Sequence, residues 1–303
     1  MEQAPLPGLV FQAAPGFEGH LEEELGPSAA PGSPATRWGP LYHVSEGPTT
    51  PVFWQQNVWQ RPFRLEFDSI SEAVRHLRGI QRNWAPVLHT QFRRAGLIDS
   101  QLPPISRKPR TFPWLLPDAP MGSWTLLDPH TLIGSPDCSS PFPAGLIQFA
   151  EDKEGPPSRA YLKLWESLVR ARRWPLPGER CLDAGASPGG WTWALARLGA
   201  QVIAVDRAPL DEKVLALGEA ASPVGGQPGP SIQYIKHDAF TLDPTEFGHL
   251  DWVLSDVICY PPRLYAWVEK LLALGICENF ICTIKMQGAP DYDTIRRFAA
   301  IPG

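Results

Sequence analysis

The spacing of apolar residues changes character near residue 150. In the first part, Leu9-Val10-Phe11 predicts an opening strand that runs into Pro15-Gly16-Phe17 and a short acidic helix through Glu24. Residues Val52 to Trp59 predict another strand. Ile70, Ala73, Val74 and Leu77 then recur at helical spacing, the apolar side of an amphipathic helix. Two stretches break this pattern: 26–40, rich in Pro, Ala, Gly and Ser, reads as a linker, and 102–120 is proline-dense and irregular. The first domain is expected over 1–150.

From Ser158 onward, helix and strand alternate. A helix from Ser158 to about Arg173, N-capped by Ser158, precedes a strand into Asp183. A helix from Trp191 to Leu198 leads to the strand Gln201 to Asp206, and apolar strands follow at Ile232 to Ile235, Trp252 to Asp256 and Phe280 to Lys285. Continuous Val/Ile/Leu strands spaced by helices predict an α/β domain over 151–303, with a parallel, doubly wound, Rossmann-like sheet. Ligands of such sheets bind at the carboxyl ends of the strands, near the switch point.

The run Cys181-Leu182-Asp183-Ala184-Gly185-Ala186-Ser187-Pro188-Gly189-Gly190-Trp191 lies at such an end. It is a buried strand closing on an acid, then a turn of small residues, then a helix start, so backbone N–H groups can meet a small charged ligand unobstructed. Asp206 and Asp238 end the next two strands, and a carboxylate at the second strand tip suits the hydroxyls of an adenosine ribose. A dinucleotide site requires G-x-G-x-x-G for the pyrophosphate. This chain has Gly185-Ala186-Ser187-Pro188-Gly189-Gly190, with no third glycine at the required place. With Asp183 near a sulfonium or ammonium, a cationic methyl donor is favoured over an anionic dinucleotide.

Composition narrows the setting. The 303 residues are 43% hydrophobic and 10% aromatic, enough for two cores, and no run of about 18 uncharged apolar residues or export-signal order is present. A cytoplasmic, membrane-free location is expected. The five cysteines are scattered and partly inside apolar strands, which suits reduced core thiols and predicts no metal site. The formal charge of −5 argues against a surface that grips nucleic acid everywhere. Local basic groups remain at Arg75, Arg78 and Arg82 with helical spacing, at Arg93-Arg94, at Arg107 to Arg110 and at Arg170, Arg172 and Arg173.

Three residues fall where a reacting group could meet the donor. Lys163 lies off the apolar stripe of its helix, Asp256 closes the strand beginning at Trp252, and Lys285 closes the strand beginning at Phe280. A lysine and an aspartate at the ends of neighbouring strands make a proton-handling set beside the donor pocket.

Asp183 through Trp191, Asp206, Asp256 and Lys285 together resemble the FtsJ-like 2′-O-ribose RNA methyltransferases. Pro157 to Leu164, Asp251 to Val257 followed by Pro262, Phe280 to Met286 and, near the start, Ala14 to Glu18 look like the RlmM type, which methylates the 2′-hydroxyl of a cytidine in 23S ribosomal RNA. The resemblance implies S-adenosylmethionine held by Asp183, Gly185, Ser187, Pro188, Gly189, Gly190, Trp191 and Asp206, with Asp238 at the adenine end and Asp256 between cofactor and catalytic groups. Lys285 would take the proton of the ribose hydroxyl, and Lys163 would support it. The N-terminal region would be a smaller α+β module, THUMP-like or ferredoxin-like. It would bind large-subunit ribosomal RNA through the Arg75, Arg78, Arg82 and Arg93-Arg94 groups, with Trp54 and Trp59 to stack on bases.

The chain departs from that family at three points. The family set is Lys-Asp-Lys-Glu, and no Glu occurs after Lys285, so the domain reads as short at its C-terminus. Ala160 stands in place of an expected serine, and Tyr260 where the family often has Lys. The alternative is a non-catalytic RNA-binding or ribosome-assembly paralogue that keeps the methyltransferase fold.

Overall fold

The computed structural model describes residues 2–28, 35–46, 48, 51–219 and 229–302. The chain divides into two compact units, one of residues 1–110 with 116–148, the other of 111–115 with 149–303.

The first unit contains β1 (Glu2–Pro5), β2 (Leu9–Ala13), α1 (Glu18–Ser28), β3 (Thr36–Trp38), β4 (Leu41–Val44), β5 (Gln55–Trp59), β6 (Phe63–Glu66), α2 (Ile70–Ile80), β7 (Trp84–Pro86), α3 (Phe92–Gln101), β8 (Gly122–Leu126) and β9 (Thr131–Ser135). They form two sheets, β3-β4-β2-β5 and β1-β6-β9-β8-β7, antiparallel except for β7 beside β8. Leu21 and Leu25 of α1 pack on Phe11, Ala13, Tyr42 and Val44 of the first sheet. The predicted stripe of α2 buries Ala73, Val74 and Leu77 among Phe63, Leu65, Trp84 and Trp124 of the second. Ser69 and Glu72 close a reciprocal capping box at the start of α2, which satisfies two otherwise orphaned N–H groups.

The pattern misplaces some boundaries here. The strand expected from Val52 starts only at Gln55, because the Glu24 carboxylate takes the Phe53 and Trp54 N–H groups at 2.9 to 3.1 Å and removes them from the ladder. The 26–40 stretch is not all linker: α1 continues to Ser28 and β3 occupies Thr36–Trp38, while 29–34 lie outside the described residues. No helix or strand element occupies 102–120.

The second unit contains α4 (Tyr161–Ala171), β10 (Arg180–Ala184), α5 (Gly190–Arg197), β11 (Gln201–Asp206), α6 (Glu212–Glu219), β12 (Ser231–Lys236), β13 (Leu250–Ser255), α7 (Pro261–Leu274), β14 (Cys277–Cys282) and α8 (Tyr292–Ala299). All five strands are parallel, in the order β12-β11-β10-β13-β14. This is the expected Rossmann-like sheet, and its order reverses between β10 and β13, which opens a crevice at their carboxyl ends. Leu182, Ala184, Val205, Val253 and Leu271 form its dry interior. On the other side Tyr161 and Trp165 of α4 meet Trp193 of α5 edge-on or tilted, and Phe112 stacks on Trp165 at 4.9 Å.

Two expected elements shift. Helix α4 begins at Tyr161 with Ala160 at its N-cap and no side-chain cap; Ser158 sits in the turn before it and accepts from the Ala160 N–H at 3.4 Å. Strand β14 ends at Cys282, so Lys285 lies three residues beyond the strand rather than closing it. Among the described residues no helix is long and apolar enough to cross a membrane.

Candidate active site

The turn after β10 is shaped by close approach. Gly185 has φ +81°, and a Cβ there would come within 2.7 Å of the Val257 side chain. A Cβ on Gly190 would fall 2.4 Å from Ser158 Oγ, and Gly189, with φ +114°, is the uncapped N-cap of α5. Of the first amides of α5, that of Thr192 donates to the Asp183 carboxylate. Asp183 is buried within β10 rather than at its tip, where the Thr192 hydroxyl donates to Oδ2 at 2.7 Å. Burial pushes its carboxyl up to about 7, against the pull of the Thr192 bonds.

Asp206 ends β11 and organises the turn. The Ser187 N–H donates to its Oδ2 at 3.0 Å, the Ala208 N–H to its Oδ1 at 2.9 Å, and Ser187 Oγ donates to the Pro209 carbonyl at 2.8 Å. A carboxylate offers about four acceptor positions, so two remain for a ribose diol. Pro188 joins the turn to α6 through its carbonyl, which accepts from the Asp211 N–H at 3.0 Å.

Trp191 and Asp238 are placed differently from expectation. The Trp191 indole is buried and donates to the Ala160 carbonyl at 2.9 Å, so its side chain fastens α5 to α4 and leaves only its backbone for a ligand. Asp238 lies two residues past β12, where Arg263 donates to Oδ2 at 2.9 Å while its guanidinium covers the Phe240 ring at 4.8 Å. Partial desolvation raises the Asp238 carboxyl, but the Arg263 and Phe240 hydrogen bonds outweigh it and hold the group below its ordinary value.

Across the switch point Lys163, Asp256 and Lys285 meet. Lys163 Nζ donates to both carboxylate oxygens of Asp256 at 2.8 Å. Lys285 Nζ lies 3.2 Å from Oδ1 of the same carboxylate and also donates to the Asp256 carbonyl. Asp256 is mostly buried while Lys163 is half exposed, so the set opens to solvent on the Lys163 side. Two bonds of the frame beneath it went unmarked in the sequence. Ser255 Oγ donates to the Ala184 carbonyl at 2.8 Å, tying the end of β13 to β10, and the Thr283 N–H donates to the Ser255 carbonyl at 2.9 Å, carrying the chain past β14 toward Lys285.

In the first unit Arg75, Arg78, Arg82 and Arg93 are exposed. Arg94 is committed to the fold, its guanidinium over the Phe67 ring at 5.5 Å. Trp59 is fully buried and cannot stack on a base, a correction that follows from its place in the core with Val10, Leu41 and Ile133. Trp54 stacks on Phe17 at 4.9 Å.

The parallel sheet, the acidic, glycine-lined turn at its switch point and the lysine-aspartate-lysine group beside it all fall within residues 156–292, which match the FtsJ-like methyltransferase family. Among curated proteins, the chain is 30% identical over 234 residues to Ribosomal RNA large subunit methyltransferase M of Xanthomonas campestris pv. campestris, covering 75% of this chain and 60% of that one. It is 29% identical over 171 residues to the protein of that name from Azotobacter vinelandii, covering 54% and 44%. The chain thus spans at most about 60% of the length of these relatives. Magnesium protoporphyrin IX methyltransferase from Synechocystis PCC 6803 with bound SAM is similar at 22% identity over 45% of this chain and 62% of that one, with a TM-score of 0.31, too slight a likeness to carry an argument.

Proposed function

We propose that this protein transfers the methyl group of S-adenosylmethionine to a ribose 2′-hydroxyl of large-subunit (23S) ribosomal RNA. The observation that carries this is the meeting of Lys163, Asp256 and Lys285 at the carboxyl ends of β13 and β14 and the start of α4. The relatives, ribosomal RNA large subunit methyltransferases by name, support the choice of RNA.

The residues present fit the donor. Asp206 keeps acceptor positions for the ribose diol, and Asp183 supplies acidity beneath the turn. When bound, the donor supplies an electrophilic methyl on a sulfonium. The chain's own work is then positional and acid–base. Lys163 compensates the Asp256 charge through its two-pronged contact, and Asp256 holds Lys285 through both carboxylate and carbonyl. As the free amine, Lys285 would accept the hydroxyl proton at Nζ, and S-adenosylmethionine would supply the methyl group to the ribose oxygen. Rate comes mainly from alignment of oxygen, methyl and leaving sulfur.

The test is incubation of the protein with labelled S-adenosylmethionine and unmodified 23S RNA, followed by mapping of ribose methylation. Label on a ribose 2′-oxygen is the expected result. RNA binding without label overturns it in favour of a non-catalytic RNA-binding or assembly protein.

A further inference from the structure

Beyond Asp256 the chain alternates in burial over four residues. Val257 packs against Gly185, Ile258 is 74% exposed, Cys259 is buried with Leu264 and Trp267, and Tyr260 is 65% exposed. Single exposed apolar side chains are ordinary on protein surfaces. Here two large ones emerge from one short segment, two and four residues from the carboxylate that holds both lysines.

The backbone under Tyr260 is fixed. It is the N-cap of α7, and Pro261 and Pro262 follow it. A residue before proline is confined to extended backbone, and Tyr260 has φ −66° and ψ 138°. Its carbonyl accepts from the Arg263 and Leu264 N–H groups at 3.0 and 3.3 Å, while its side chain makes no cap bond. A rigidly mounted, solvent-facing aromatic ring loses little entropy on covering an apolar face.

We propose that Tyr260, flanked by Ile258, is the platform on which the nucleobase of the methylated nucleotide stacks, a positioning element that sets its ribose against Lys285. This rests on the methyltransferase reading. The occupant follows from chemistry: an RNA base offers a flat π-face, and single-stranded RNA is held by aromatic stacking together with positive charge.

The experiment uses the full chain with S-adenosylhomocysteine and an unmodified 23S RNA fragment, comparing Tyr260→Ala and Tyr260→Phe with the parent protein in RNA affinity, S-adenosylmethionine affinity and single-turnover methylation. Tyr260→Ala should weaken RNA binding between about 5- and 100-fold, and Tyr260→Phe by less than about twofold, since stacking needs the ring and not the hydroxyl. Cofactor affinity should be unchanged in both. Parental affinity in Tyr260→Ala, equal weakness in Tyr260→Phe, or a loss of cofactor affinity would each overturn the platform while leaving methyl transfer by the parent protein intact. A parent that neither binds nor methylates RNA would instead overturn the function, and the platform with it.

Discussion

Lys163 and Asp256, 93 residues apart, form a two-pronged contact in which one ammonium lies 2.8 Å from both carboxylate oxygens. With its charge answered by Lys163, Asp256 can hold the Lys285 amine in place. The two lysines should therefore fail differently. Lys285→Ala is expected to reduce methyl transfer by about 10²- to 10⁴-fold, the range for removing a positioned proton acceptor. Lys163→Met should cost less, about tenfold or more, because Asp256 survives but its orientation loosens. Single-turnover rates and equilibrium cofactor binding separate the effects: S-adenosylmethionine affinity should persist in Lys285→Ala, and parallel loss of both properties would remove Lys285 from the reaction.

Asp183 gives a pH signature. Its folded carboxyl, pushed by burial to about 7 from an ordinary 3.8, binds more protons than the unfolded one between those values. Stability from this group is therefore highest below about pH 4, falls as pH rises to about 7, and is flat above. The full cost at pH 8 is as much as about 4 kcal/mol. Asp183→Asn keeps an oxygen to accept from Thr192 but cannot ionise, so it should be more stable than the parent at pH 8 and nearly equal at pH 4. Urea denaturation at the two values checks this; a stability difference independent of pH would contradict it. The same variant should bind S-adenosylmethionine more weakly, because the acidity beneath the donor turn is gone.

Much of the second unit was legible because each strand is a short apolar run, and runs such as Gln201 to Asp206 match β11 residue for residue. The site was legible wherever a residue type is required by chemistry: Lys163, Asp256 and Lys285 meet. What escaped depends on partners distant in sequence. Ser158 looks like an N-cap, but the turn through Arg159 and Ala160 moves the helix start, and Ser158 Oγ sits against Gly190 instead. The first unit was less readable. Glu2–Pro5 is fully exposed, with no alternation to betray an edge strand, and Trp84–Pro86 is three residues long and contains proline. Trp59 carries no local mark that separates a core ring from a surface one.

Trp191 tests the distinction between holding the fold and holding the ligand. Its indole is buried and bonded to Ala160, so Trp191→Ala should cost about 3–5 kcal/mol through the cavity it leaves. Trp191→Phe keeps most of the packing and loses one bond to the Ala160 carbonyl, which still accepts from the Lys163 N–H at 3.2 Å, for about 0.5–1.5 kcal/mol. At a temperature where each variant remains folded, S-adenosylmethionine affinity should match the parent. A specific loss of affinity in Trp191→Phe, with the melting temperature unchanged, would instead place the indole against the cofactor.

The arginines of the first unit can be sorted by what already occupies them. Arg75, Arg78 and Arg82 are exposed around the end of α2, whereas Arg94 covers Phe67 and donates to the Asp68 carbonyl at 3.4 Å. Because the chain carries a net charge of −5, attraction for RNA must come from local groups rather than from the whole surface. Replacing Arg75, Arg78 and Arg82 together by Gln should weaken RNA binding across sequences and make the plot of log affinity against log salt shallower by about 2, as expected when three phosphate contacts on single-stranded RNA are lost. Arg94→Gln should leave that slope nearly unchanged and lower the thermal stability of the first unit, since its guanidinium serves packing. RNA titrations at several salt concentrations distinguish the two, and an unaltered slope in the triple variant would move the RNA contact away from α2.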